Sequence, residues 1–131
     1  MPYAVELALD PVSADVVRRA WRELDDAGIT HVSRSGARPH VTLGIWLTLD
    51  HDGAEAELTQ FAAETAPVRL TLASVGLFPR VAIFLAPTVT AELLQPHAGF
   101  HRRFGRLGEG SCGIVEFRPV KQLVSFALGG R

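Results

Sequence analysis

Arg38-Pro39-His40-Val41-Thr42-Leu43-Gly44-Ile45-Trp46-Leu47 alternates apolar residues with polar or small ones at a period of two. Val41, Leu43, Ile45 and Leu47 fall on one side, and His40, Thr42, Gly44 and Trp46 on the other, as in a half-buried strand. Pro39 fixes the entry, and Asp50-His51-Asp52-Gly53 breaks the pattern, so the strand is expected over residues 39–49. His40 and Thr42 then project from the same face, while Val41 and Leu43 enter the core. An imidazole can give or take a proton near neutral pH, and a hydroxyl beside it can hydrogen-bond a phosphate oxygen. A bare His-x-Thr pair is more often just the polar face of an ordinary strand.

On the N-terminal side, Tyr3, Val5, Leu7 and Leu9 share a strand face, with Glu6 on the other. Asp10-Pro11 ends that strand. Ser13 is the expected helix N-cap, with Asp15 in the first turn. Val16, Val17, Ala20, Trp21, Leu24 and Ala27 recur at helical spacing before Gly28, a helix-terminating glycine. Ile29 to Ser33 reads as a short extended segment and Ser35-Gly36-Ala37 as a turn.

Beyond the central strand, Ala54 to Glu64 reads as a second helix burying Leu58, Phe61 and Ala62. Pro67 opens an extended stretch with Val68, Leu70 and Leu72 on one face. Gly76 to Arg80 reads as a turn into the apolar strand Val81-Ala82-Ile83-Phe84-Leu85, which Pro87 ends. Thr90 can cap a third helix whose apolar stripe is Leu93, Leu94, His97, Phe100, His101, Phe104 and Leu107. Pro96 inside it calls for a kink or a later start. Ile114 to Leu128 forms two strand-like pieces broken near Pro119. This order suits an α+β domain whose helices cover antiparallel sheet.

The chain has 131 residues, 47% of them hydrophobic and 21% charged, which suits one globular domain over residues 1–131. Thirteen basic against fourteen acidic side chains leave a net charge of −1. That balance argues against holding extended duplex nucleic acid by bulk charge, but leaves room for a local phosphate pocket. Cys112 is the only cysteine, so an intramolecular disulfide and a Cys-rich metal site are both excluded. No apolar run reaches the length of a membrane span, and the first residues show no signal-peptide pattern, so a cytoplasmic protein with no membrane partner is expected. The Gly-rich patterns of dinucleotide and P-loop sites are absent from the sequence.

Arg38-Pro39-His40-Val41-Thr42-Leu43 resembles the first signature of the two-histidine (2H) phosphoesterases, the 2′-5′ RNA ligase and cyclic nucleotide phosphodiesterase superfamily. Their signature is His-x-Thr/Ser followed by an apolar residue, often preceded by Pro. The opening strand and helix, Gly76-Leu77-Phe78-Pro79 with the apolar strand after it, and the helix through His97 to Leu107 agree with the family order. The resemblance implies antiparallel sheets in a two-lobed arrangement, helices packed on the outside, and a central groove. Across that groove one His acts as general base and the other as general acid on a phosphodiester, and each Thr or Ser holds the phosphate. It implies no metal or other cofactor, because imidazoles carry both proton transfers.

Carried onto this chain, the resemblance makes His40 and Thr42 the catalytic pair and Arg38 the nearest phosphate-binding cation. Tyr3 joins them because the first strand lies beside the motif strand in this family. Phe78, like Trp46, could stack on a base. The second motif is missing: no histidine after position 40 is followed two residues later by Thr or Ser. Leu123-Val124-Ser125 keeps the hydroxyl with Leu in place of His. In the preferred register, Val115 to Leu128 resembles the closing strands that follow the second motif, which places the missing segment near Gly110-Ser111.

The other histidines read as structural. His31-Val32-Ser33 is a second His-x-Ser, better taken as a partly exposed loop. His97 and His101 stand four apart on one helical face, a metal-binding spacing, but lie among Phe100 and Phe104 and read as packing. His51 reads as a solvated turn residue. Arg69, Arg80, Arg102, Arg103 and Lys121 are further candidates for phosphate contact, most of them expected to be surface charges. The leading expectation is a protein acting on a 2′,3′-cyclic phosphate or 2′-5′ phosphodiester of RNA ends or small nucleotides. The alternatives are a degenerate member that binds a nucleotide or RNA-end phosphate without turnover, and a structural or dimerising domain.

Overall fold

The computed structural model describes residues 3–78, 82–109 and 122–126. Among the described residues the fold is α+β, with small sheets and four helices. Strand β1 (Tyr3–Ala8) lies between β2 (His40–Trp46), antiparallel to it, and β7 (Gln122–Phe126), parallel to it. Both faces of a middle strand can be covered, and Ala4, Val5, Glu6 and Leu7 are all buried. A two-stranded ribbon joins β3 (Thr48–Leu49) to β6 (Gly108–Glu109), and β4 (Leu72–Phe78) pairs antiparallel with β5 (Ala82–Pro87).

Helix α1 (Pro11–Asp26) begins earlier than its sequence suggests. Asp10, not Ser13, is the N-cap, accepting hydrogen bonds from the Val12 and Ser13 amides at 3.0 Å each. Asp is as good a cap as Ser, and Pro11 is already set for the first helical position. Gly28 closes the helix with φ of 87°, as expected of a helix-terminal glycine. Of the apolar stripe, Val17 and Trp21 are half-buried, but Val16 and Leu24 are exposed and only Ala14 is fully buried. The segment expected to be extended holds a short helix, α2 (His31–Arg34). Its Ser33 hydroxyl donates to Asp25 at 2.6 Å, tying it back to α1.

The acidic break after the central strand is itself a helix start. Asp50 caps α3 (His51–Glu64), accepting from the Gly53 amide. The residues from Pro67 reach a ladder only at Leu72. Gly76-Leu77-Phe78, expected as a turn, belongs to β4, where Gly76 leaves room for the Phe84 ring across the strand. Thr90 caps α4 (Ala91–Phe104) as expected, and the helix runs through Pro96 rather than starting after it. Pro79, Arg80, Cys112, Lys121 and the Gly110-Ser111 junction lie outside the described residues.

The core forms where α3 and α4 meet one face of β1 and β2. Val5, Leu7, Leu43, Leu58 and Phe61 surround Trp46, Phe100 and Phe104, which are fully buried. Trp46 meets Phe100 edge-on at 5.6 Å between centroids, and Phe100 stacks on Phe104 at 4.3 Å. Among the described residues no helix is long and apolar enough to cross a membrane.

Candidate functional site

A bulge in β2 decides which residues face which way. Val5 pairs with Gly44 and Glu6 with Thr42, so Leu43 is skipped. Up to Leu43 the expected alternation holds: Leu43 is buried, Val41 packs half-buried against the core, and His40 and Thr42 are exposed. Past it the phase shifts by one. Trp46 turns into the core instead of the outer face and lies across Gly44, whose absent Cβ would meet the indole at 2.9 Å or less. Trp46 is therefore a core residue and not a stacking platform. The skipped Leu43 carbonyl accepts a hydrogen bond from His101 Nε2 at 2.9 Å, which pins α4 to the bulge.

On the other face of this sheet, register places Glu6 directly opposite Thr42 and diagonally across from His40, which pairs with Ala8. The Glu6 carboxyl Oε1 lies 3.1 Å from His40 Nε2. The other ring nitrogen, Nδ1, is 2.6 Å from the Arg38 carbonyl oxygen. A carbonyl only accepts, so Nδ1 carries a hydrogen. Water reaches 30% of the His40 side chain but only 3% of Glu6. Among the described residues, Glu6 Oε2 is buried without a hydrogen-bond partner. Burial pushes the Glu6 carboxyl above the usual carboxylate range, against the pull of His40 and then Arg38.

A pocket of about 160 Å³ opens beside His40. Its polar lining is Arg18, Arg38 and His40, and Ala8, Leu9, Ala14 and Pro39 form its walls. Arg18 stands one helical turn beyond the buried Ala14 on α1 and pairs with Asp15 at 2.8 Å. Two guanidinium groups and an imidazole around a small hollow suit an oxyanion.

His40, Thr42 and Arg38 are thus brought to one end of β2, although Thr42 is not part of the pocket wall. Tyr3 and Phe78 do not join them. Tyr3 shares the face of Val5 and Leu7, opposite Glu6, because strand residues alternate. Phe78 ends β4 on a separate hairpin, half-exposed and stacked on Phe84 at 4.7 Å. Of the other cations, Arg103 is tied to Glu57 and Glu64 and links α4 to α3, and Arg69 and Arg102 are exposed.

The remaining histidines stand apart from this site. His51 is exposed in the first turn of α3, and His31 is exposed on α2. His97 and His101 pack ring to ring at 4.4 Å on α4, and burial with the neighbouring His101 holds His97 below the usual imidazole range. No group of three or more His, Cys, Asp or Glu among the described residues could hold a metal ion.

Two residues of the site escape the sequence reading. Glu6 could have been found, since alternation alone puts it opposite Val5 and Leu7, on the side of His40. Arg18 carries no signal beyond its spacing of four from Ala14. A family model described as the 2′-5′ RNA ligase superfamily matches residues 9–119. No curated protein and no solved structure is significantly similar to the chain.

Proposed function

Because the chain belongs to the 2′-5′ RNA ligase superfamily, we propose that its His40 site takes the phosphate of an RNA end or a small nucleotide. The substrate class is a 2′,3′-cyclic phosphate or a 2′-5′ phosphodiester. The carrying observation is the clustering of Arg38, His40 and Arg18 around one small pocket, with the Thr42 hydroxyl on the same strand face. Arg38 and Arg18 supply charge-assisted donors to phosphate oxygens. Thr42 adds a neutral donor, and His40 supplies the proton-transfer group.

One observation favours the second reading, binding without turnover. Among the described residues no histidine is a hydrogen-bond, ion-pair or pocket partner of His40, and the sequence holds no second His-x-Thr/Ser beyond it. Recognition and chemistry are therefore separate questions, and recognition comes first. Calorimetric titration with a nucleoside 3′-monophosphate is expected to show weak binding. Arg38→Ala should weaken it by about tenfold or more, as loss of a charged hydrogen-bond donor does, and Thr42→Val by a few-fold. Equal affinity in all three proteins would mean that the motif is only the polar face of a strand.

A further inference from the structure

We infer that Glu6 is a positioning residue for His40: its buried carboxylate holds the imidazole doubly protonated, and its own protonation gives the site its positive charge. Hydrogen-bond accounting carries the first half. Nδ1–H is committed to the Arg38 carbonyl at 2.6 Å. A bare Nε2 would then turn its lone pair toward a carboxylate oxygen 3.1 Å away. A shared proton removes that repulsion, and it sits on the ring, which water reaches and which spreads the charge over two nitrogens. The resulting carboxylate has two cations near it, His40 and Arg38.

The consequence rests on the phosphate reading above. While Glu6 is ionised the pair is neutral, both ring N–H groups are engaged, and the cations left for an anion are Arg38 and Arg18. Arg18 is itself offset by Asp15. When Glu6 takes up a proton, His40 keeps its charge and Nε2–H is released toward the pocket. The pair then goes from zero to one positive charge as the pH falls. Burial, which raises the Glu6 carboxyl above the usual range, brings that change to milder acidity. Anion affinity should thus rise on acidification as Glu6 takes up its proton.

Ring nitrogen resonances of the ¹⁵N-labelled full chain test the first half without a ligand. At neutral pH, both His40 nitrogens are expected at protonated positions in the original chain. In Glu6→Gln, one should move to the unprotonated position. A bare Nε2 in the original chain, or the same pattern in both proteins, overturns the inference; the first result needs no variant to fold. Titration with sulfate, whose charge stays constant from neutral to mildly acidic pH, tests the second half. Affinity should rise several-fold on acidification in the original chain, with the rise displaced to higher pH in Glu6→Gln. A flat profile in a chain that binds sulfate overturns the switch. No sulfate binding at either pH, beside a doubly protonated ring, overturns the phosphate reading and leaves the Glu6 pairing supported.

Discussion

Trp46→Ala is expected to cost about 3–5 kcal/mol of stability, the usual cost of deleting a fully buried large aromatic side chain. For a chain of this size, that corresponds to a fall of about 10–20 °C in melting temperature. Trp46 has no exposed surface, and it joins β2 to α4 through Phe100 and Phe104. Gly44 and Gly108 both keep their Cβ positions clear for its indole, so the cavity left by alanine is bounded by backbone that cannot easily collapse into it. Such a loss is a large part of the roughly 5–15 kcal/mol that holds a typical domain folded. Circular-dichroism melting checks this, with Phe78→Ala as the contrast. Phe78 is half-exposed on the β4–β5 hairpin, and its loss should cost far less. A fall of under about 3 °C for Trp46→Ala would place the indole outside the core and contradict the bulge that turns it inward.

The second large effect concerns turnover. Opening a 2′,3′-cyclic phosphate requires a proton taken from water and a proton given to the leaving oxygen. One imidazole cannot do both at the same moment. Loss of one proton-transfer group typically costs about 10²–10⁴-fold in rate. Hydrolysis of a 2′,3′-cyclic nucleotide is therefore expected to run that far below a superfamily enzyme with both histidines, assayed side by side. His40→Ala should bring it to background. A rate of about 10 s⁻¹, ordinary for an enzyme, that His40→Ala abolishes would contradict this. It would mean that His31 or another subunit brings a second imidazole to the site.

How much of this could be read from sequence varies with the physics of each element. The strand carrying His40 was legible because its alternation is strict from Pro39 to Leu43, and the caps at Gly28 and Thr90 because local chemistry sets them. The bulge was not, since one skipped residue leaves the composition of the strand unchanged while reversing every side chain beyond it. Trp46 and Ile45 exchanged faces for that reason. The sequence pattern places Glu6 only on the face opposite Val5 and Leu7. It is buried because β1 is a middle strand, and strand order is a tertiary property. Arg18 and Arg38 lie 20 residues apart in sequence and meet only because α1 folds back beside the entry to β2. Phe78 and Tyr3 failed to join the site for the converse reason: aromatic character gives no information about which face or which sheet a residue occupies.

If a phosphate sits against Arg38, His40 and Thr42, amide resonances recorded during titration with a nucleoside 3′-monophosphate will report it residue by residue. Saturable shifts are expected from Arg38 to Thr42, at Glu6 and around Arg18, with the β4–β5 hairpin unmoved. Shifts confined to that hairpin, or spread over the surface without saturation, would contradict that placement.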